Sequence, residues 1–297
     1  MPDIGALLSP NAVAIIGAAP DEEMLRGRIL YVMKQHPFAG AIYPVSRSHD
    51  EVQGLKAYPS IEDLPERVDL AIMIIPAQFV PDELERCGKA GVKAVQILTS
   101  GFAEEIGDDG AKAQQQLREI AERYDMAVVG PNSEGFASTK VALCPTFSPT
   151  FNNQTRPRVP EWRENGHIAA VAQSGGIGFA FYDRGRPKEL PFSYVVTTGN
   201  EAAINGFDVI EHIIDRNDTD VFLMFMEDVK DPDTFRRVAE KAMRAGKPLI
   251  VTKVGKSAAG ERAAASHTAA LAGSYSTYQA MFRKYGIIEG RDTDEMV

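Results

Sequence analysis

A chain of 297 residues, 44% hydrophobic and 25% charged, has ordinary globular composition and enough length for two domain-sized cores. Acidic residues outnumber basic ones 41 to 32, and the net charge of -9 opposes non-specific attraction to nucleic acid or to an anionic membrane. Its two cysteines, Cys87 and Cys144, lie far apart without CxxC spacing, which argues against a zinc site or a disulfide framework and for a reduced, cytoplasmic setting.

The N-terminal "MPDIGALLSPNAV" lacks a basic stretch followed by an apolar core, and no apolar run approaches the ~20 residues needed to cross a bilayer. Short β-branched runs then alternate with amphipathic stretches, the pattern of a parallel sheet with crossover helices. The first strand is "AVAIIG", followed by a helix over 24–33. Further strands are expected at 41–45, 69–75, 92–98 and 126–129, with helices near 80–90 and 110–124. Residues 1–146 therefore read as one doubly wound, Rossmann-like domain. The segment 147–165 is rich in Pro, Asn and Arg, holds the single tryptophan and shows no periodicity, so it reads as a linker or excursion. A second α/β series follows, with strands at 167–173, 193–198, 220–226 and 248–254, giving a second domain over 166–297. The last residues, "DTDEMV", look like a helix just begun, so the chain reads as a piece of a larger protein.

Ligands of open α/β sheets bind beyond the carboxyl ends of the strands. After the first strand, Gly17, Ala18 and Ala19 are small enough for a phosphate to approach the backbone, and Gly27 can pack its helix closely. The loop is not GxGxxG, and the second strand is followed by Arg47 where a nicotinamide site would want Asp or Glu, so a ligand with a ribose phosphate fits better than NAD. The third strand ends in "IIPAQFVPDE", where prolines stiffen a loop bearing Phe79; the fourth ends in "TSGFAEE" and the fifth in "GPNSEG". Each alone also reads as an ordinary βα turn; together they leave room for an extended ligand.

In the second domain "AQSGGIG" follows a strand, so Ser174, Gly175 and Gly176 offer backbone N–H groups to an anion without any basic side chain. The same residues also read as a plain helix cap. Glu227 lies just beyond an apolar strand, placed either to cap the next helix or to orient an imidazole. His36, His49 and His212 read as surface residues and His167 as a strand opener. His267 differs: in "AAASHTAALAGSY" only small or hydroxylated residues flank it, leaving both faces of the ring open to large partners.

The segment "GKSAAGERAAASHTAALAGS" resembles the phosphohistidine loop of NDP-forming acyl-CoA synthetases, relatives of the succinyl-CoA synthetase α subunit. The likeness spans nearly the whole chain, through "AVAIIGAAPD", "GRIL", "IYPV", "GLKAYPSIEDLP", "VDLAIMIIPA", "GVKAVQILTSGFAE", "GPNSEGF", "AVAQSGGIG", "GNEA" and "EDVKD" in the family's order. It implies a CoA-binding Rossmann-like domain and a flavodoxin-like domain carrying the histidine. It further implies ATP and Mg2+ on an ATP-grasp domain or subunit elsewhere, an oligomer, and acid, acyl phosphate, CoA and phosphate as ligands. By this resemblance Gly17, Ala18, Ala19, Arg47, Pro76, Ala77, Gln78, Phe79, Ser100, Gly101, Phe102 and Asn132 line the CoA crevice. His267 is phosphorylated, Glu227 holds its ring, and Ser174, Gly175 and Gly176 receive the phosphoryl group. Three motifs depart from the family pattern: Gly-Ala-Ala stands for Gly-Ala-Ser in the first loop, the Arg47 region replaces a lysine, and His-Thr-Ala stands for His-Thr-Gly. A non-catalytic CoA-sensing module is the rival reading, disfavoured by the presence of both His267 and Glu227; a nicotinamide oxidoreductase is weaker still.

Overall fold

In the computed structural model the described residues are 2–152, 167–216, 219–255 and 275–297. A short helix, α1 (Ile4–Leu8), precedes the first sheet, whose strands are β1 (Ala12–Ile16), β2 (Ala41–Val45), β5 (Leu70–Met73), β6 (Ala94–Ile97) and β7 (Ala127–Val129). They are all parallel and run in the order β2-β1-β5-β6-β7. A two-stranded hairpin, β3 (Glu51–Val52) with β4 (Leu55–Lys56), hangs beside β2. The crossover helices are α2 (Leu25–Lys34), α3 (Val80–Ala90) and α4 (Asp108–Tyr124). Helix α3 shows why such segments form: Val80, Leu84 and Cys87 recur at helical spacing and are buried, and Gly91 ends the helix in the left-handed region at φ 79°.

The second sheet has β8 (Phe136–Ser138), β9 (Ile168–Ala172), β10 (Phe192–Thr197), β11 (Val221–Met226), β12 (Leu249–Lys253) and β13 (Ile288–Glu289). Its order is β13-β12-β11-β9-β10-β8. Five strands are parallel, and β8 joins the edge antiparallel to β10. The helices are α5 (Gly175–Gly185), α6 (Gly206–Ile214), α7 (Pro232–Arg244), α8 (Tyr275–Tyr285) and α9 (Thr293–Met296). Strands β9 and β10 are buried almost throughout, as parallel strands covered on both faces must be.

Two differences from the sequence reading concern the crossing between the sheets. Strand β8 falls inside the expected 1–146 unit yet pairs with the second sheet, so the chain passes over soon after β7. The start of the 147–165 excursion is also no linker. Thr150, Phe151 and Asn152 are buried, and the Phe151 ring lies 4.7 Å from that of Tyr182 and 5.9 Å from that of Phe179. Aromatic burial in a polar-looking stretch is invisible to periodicity. This packing also corrects His36, expected at the surface: it is buried at the end of α2, its Nε2 2.8 Å from the Phe151 carbonyl oxygen. Burial lowers its pKa, with that hydrogen bond opposing.

One hydrophobic cluster runs through both sheets, from Val13, Ile15 and Ile72 to Val171, Val196 and Met224. Ile4, Leu7 and Leu8 of α1 belong to it, and α1 packs on β6, β7 and α6. Shared apolar burial thus fixes the two sheets against each other with their loop-bearing edges adjacent. No helix of the described residues is long and apolar enough to cross a membrane.

Candidate active site

Two clefts meet beyond the strand ends. The smaller, about 280 Å³, is lined by Gly17, Arg47, Pro76 and Phe79; the larger, about 650 Å³, by Pro76, Ser100, Asn132, Ser174, Gly175, Gly176 and Glu227. Arg26, Ile75 and Pro76 line both, so they form one bent crevice that starts over the first sheet and ends at the mouth of α5.

The first end is shaped by close backbone approaches. Gly17 sits at φ 95°, and a Cβ there would lie 2.4 Å from the Ile74 carbonyl oxygen, so only glycine fits. Gly27 likewise brings α2 down on the loop, since a Cβ would meet the Asp21 carbonyl oxygen at 1.9 Å. Arg26 Nε donates to the Gly17 carbonyl oxygen at 2.8 Å, a clamp that sequence reasoning passed over although it stands next to the "GRIL" motif. Arg47 donates to the buried Glu83 carboxylate but keeps 70% of its side chain exposed, leaving guanidinium N–H groups toward solvent for a phosphate. Phe79, 49% exposed, offers a flat aromatic face at the rim.

Not every expected contact reaches the crevice. Ala18 and Phe102 are wholly buried in the hydrophobic core, because the strand-end turns aim those side chains at the sheet rather than outward. Ala19, Ala77, Gln78 and Gly101 line neither cleft. The 101–102 turn is instead held from within: Glu104 Oε1 accepts the Gly101 N–H at 2.6 Å, and Oε2 the Phe102 N–H at 3.2 Å. Glu104 also accepts from Asn200, whose Oδ1 accepts from Asn132 Nδ2 at 3.3 Å, tying loops of the two sheets together.

At the other end, Ser174 occupies the cap position of α5 and its side chain makes no cap hydrogen bond. Gly175 and Gly176 open the helix, and a Cβ on Gly176 would meet nothing within 4 Å. N–H groups therefore face the cleft at a helix N-terminus, an arrangement that attracts anions. Two basic side chains, Lys230 and Arg26, line the same cleft, Arg26 where its two arms join. The loop bearing Glu227 is fixed by Gln173, whose Oε1 accepts the Glu227 and Asp228 N–H groups at 2.6 and 3.0 Å. Gln173 Nε2 donates to Glu201 Oε2 at 2.8 Å. Glu201 is buried and also accepts from Thr198 Oγ1 and the Gly206 N–H. Burial pushes its pKa up, while Lys230 and its hydrogen bonds oppose. Gln173 and Glu201 lay within "AVAQSGGIG" and "GNEA", where only spatial proximity could show their support of the Glu227 loop. His267 lies outside the described residues.

The chain is similar to known proteins along nearly its whole length. The CoA binding domain family matches residues 11–139, and the succinyl-CoA ligase like flavodoxin domain family matches 165–297. Acetate–CoA ligase [ADP-forming] I of Archaeoglobus fulgidus is 40% identical over 290 residues, covering 98% of this chain and 40% of that protein. The alpha subunit of acetate–CoA ligase [ADP-forming] II of Pyrococcus furiosus is 36% identical over 289 residues, covering 97% of this chain and 60% of that subunit. An acetyl-coenzyme A synthetase of Ca. Korarchaeum cryptofilum, solved in complex with phosphate and ADP, superposes with a TM-score of 0.87 at 32% identity, over 98% of this chain and 60% of that one. The chain thus spans roughly two to three fifths of the length of these relatives. With both domain families matched in order and relatives of this identity aligned along nearly its whole length, the chain belongs to the NDP-forming acyl-CoA synthetases, of which it comprises the CoA-binding and flavodoxin-like domains.

Proposed function

We propose that this chain is the CoA-binding and phosphoryl-carrying part of an acid–thiol ligase that makes acyl-CoA from a carboxylic acid, CoA and a nucleoside triphosphate. The observation that carries this reading is the continuous crevice joining the Arg47 and Phe79 end to the mouth of α5. CoA lies along its first arm, with Arg47 on phosphate and Phe79 against the base. The thiol end reaches toward Asn132 and Ser100. An acyl phosphate binds with its phosphate at Ser174, Gly175 and Gly176, where each helix-end contact contributes ~0.3–1 kcal/mol to an anion.

His267 carries the phosphoryl group between that mouth and a nucleotide, with ATP and Mg2+ held by an ATP-grasp portion fused to this chain or bound as a subunit. In the direction of synthesis it takes the group from ATP and gives it to the carboxylate of the acid to form the acyl phosphate. Glu227 orients the imidazole and stabilises its cationic phosphorylated form. The buried free thiols Cys87 and Cys144 are compatible with a reducing, cytoplasmic setting. CoA is carried by the first sheet and its strand-end loops within residues 1–146, from which β8 has already crossed to the second sheet, and the histidine by 166–297.

The test uses the full-length enzyme or its complex with the ATP-grasp portion. A panel of short-chain, dicarboxylic and aromatic acids is assayed for CoA thioester, and the protein is analysed by mass spectrometry under alkaline conditions after brief exposure to ATP. Label on the peptide containing His267, and loss of synthesis in His267→Gln with CoA binding retained, are expected. CoA binding without phosphorylation of His267 or thioester formation would favour the CoA-sensing module instead.

A further inference from the structure

Glu134 stands where the chain passes from β7 to β8, and its backbone is pinned on both sides. Its N–H donates to Thr197 Oγ1 at 3.1 Å, and its carbonyl oxygen accepts from Thr146 Oγ1 at 2.7 Å. Its side chain lies directly against the first residue of α5. A Cβ on Gly175 would fall 2.6 Å from Glu134 Cβ and 2.8 Å from Oε2, so the carboxyl occupies the space that a side chain at 175 would take. The same residue lines the larger cleft with Ser100, Asn132, Ser174 and Gly176. It therefore adjoins both the phosphate mouth and the arm assigned to the thiol end of CoA.

The chemistry of that junction needs a proton acceptor. A thiol with an ordinary pKa of about 8.5 is mostly protonated at neutral pH and must lose its proton as it attacks an acyl carbon. Among the described residues the other charged groups facing the cleft are Arg26, Glu104, Glu227, Asp228 and Lys230. Glu104 is engaged by the 101–102 turn and Asn200. The Glu227 and Asp228 loop is held through its backbone by Gln173, and Glu227 is the residue assigned to the imidazole of His267. Glu134 is half-buried, and burial raises its pKa while a hydrogen bond with Ser148 opposes, which makes it a stronger base than an exposed carboxylate.

Resting on the ligase reading above, we propose that Glu134 accepts the proton of the CoA thiol and passes it to the departing phosphate. In this step the sulfur forms a C–S bond with the acyl carbon of the acyl phosphate. The bond from that carbon to the bridging oxygen breaks, and its electron pair leaves on the phosphate. The thiol proton moves to a Glu134 carboxylate oxygen and then to the phosphate oxygen at the mouth of α5, so thiol and acyl phosphate give thioester and hydrogen phosphate with no other reactant.

The experiment compares wild type with Glu134→Gln and Glu134→Asp in the full-length enzyme or complex. It measures phosphorylation of His267 from ATP, KM for CoA, and the pH dependence of thioester formation. For Glu134→Gln the expectation is phosphorylation as in wild type, KM for CoA close to wild type, kcat lower by about 10²–10⁴-fold, and loss of the acid limb on which wild-type activity rises with pH. Glu134→Asp should regain part of the rate and an acid limb with a displaced midpoint. Wild-type kcat with the acid limb intact in Glu134→Gln would overturn the proposal. So would a Glu134→Asp protein that is phosphorylated normally yet is as slow as Glu134→Gln. Should Glu134→Gln fail to fold, the Glu134→Asp profile decides, an undisplaced acid limb at full rate counting against. A wild-type enzyme that makes neither phosphohistidine nor thioester with any acid would sink the ligase reading itself, an outcome distinguishable from all of these.

Discussion

Helices α5, α6 and α7 all leave the same edge of the second sheet, yet their N-termini are finished in opposite ways. At α6, Asn205 Oδ1 accepts the Phe207 and Asp208 N–H groups at 2.8 and 3.2 Å, and Asp208 Oδ2 accepts the Asn205 N–H at 2.8 Å, a reciprocal capping box. At α7, Asp231 accepts the Asp233 and Thr234 N–H groups at 3.0 and 3.1 Å. At α5 the cap residue is Ser174 without a side-chain cap, two glycines follow, and the first turn has no acidic residue. A cap contributes about 1 kcal/mol, so two helix ends are used for stability while the third forgoes it and leaves its N–H groups without a side-chain cap, as the proposed phosphate site requires. The carboxyl that does approach α5 comes from Glu134, a distant part of the chain.

The largest effect should separate the two glycines at that open end. In Gly175→Ala the new methyl meets Glu134 Cβ, which cannot swing away because the Glu134 backbone is held by Thr197 and Thr146. Overpacking of this kind costs about 1–3 kcal/mol, and synthesis should fall with it as the mouth distorts. In Gly176→Ala the methyl meets nothing, and stability should stay within about 0.5 kcal/mol of wild type. Calorimetry and thioester assays on the full-length protein check both; equal losses at the two positions would break the distinction between a packed and an open glycine.

Much of this was legible in the sequence, for identifiable reasons. Strand β2, at the sheet edge, matches its expected bounds, and β1, β9 and β11 fall within theirs, the last three because parallel strands buried on both faces are written as unbroken apolar runs. Helix α3 was legible from its spacing and its terminal glycine. Ser174 and its glycines, Arg47 and Phe79 stood out because strand-end loops of small or chemically pointed residues are local features, and Asn132 through the resemblance; the structure places all of them along one crevice. What sequence could not show depended on distant partners. Phe151 looked like linker until Tyr182 and Phe179 closed on it, Ala18 and Phe102 turned inward, and Gln173, Glu201 and Glu134 acquire roles only through contacts 28 to 55 positions away or at a glycine with no side chain of its own.

A middle-sized pair of effects tests the comparison from both ends. Asn205→Ala removes the box at α6 and should cost about 0.5–2 kcal/mol with little change in synthesis, since Asn205 lines neither cleft. Ser174→Ala removes no cap, so the melting temperature should hold while synthesis falls; a lost hydrogen bond to a charged phosphate is worth ~1.5–3 kcal/mol, or roughly 10- to 100-fold in rate. The pattern is read by calorimetry beside the thioester assay. A destabilised Ser174→Ala protein with full activity would reverse the assignment of the two helix ends.

The smallest effect concerns pH and the cap of α7. Asp231 has its pKa held below the ordinary 3.8 chiefly by the Thr234 hydroxyl, together with the Thr234 and Asp233 N–H groups. The unfolded chain then binds the proton more readily than the folded one, so the cap's contribution is fully present above the unfolded value and is lost as pH falls through the lower folded value. Asp231→Asn keeps an oxygen acceptor for the backbone but carries no charge to titrate. Near neutral pH it should lose only the charge–dipole part, ~0.3–1 kcal/mol, and below pH ~4 the difference from wild type should shrink toward zero. Carboxyls whose pKa values burial raises, Glu201 among them, shape the acid limb of both proteins alike and cancel in the difference. Ser174 has no titrating group, so Ser174→Ala should track wild type in stability across the same range. Calorimetry at neutral pH and near pH ~3 checks this; a Ser174→Ala curve that diverges from wild type in acid, or an Asp231→Asn difference that grows there, would show that the two helix ends are not finished as their hydrogen bonds indicate.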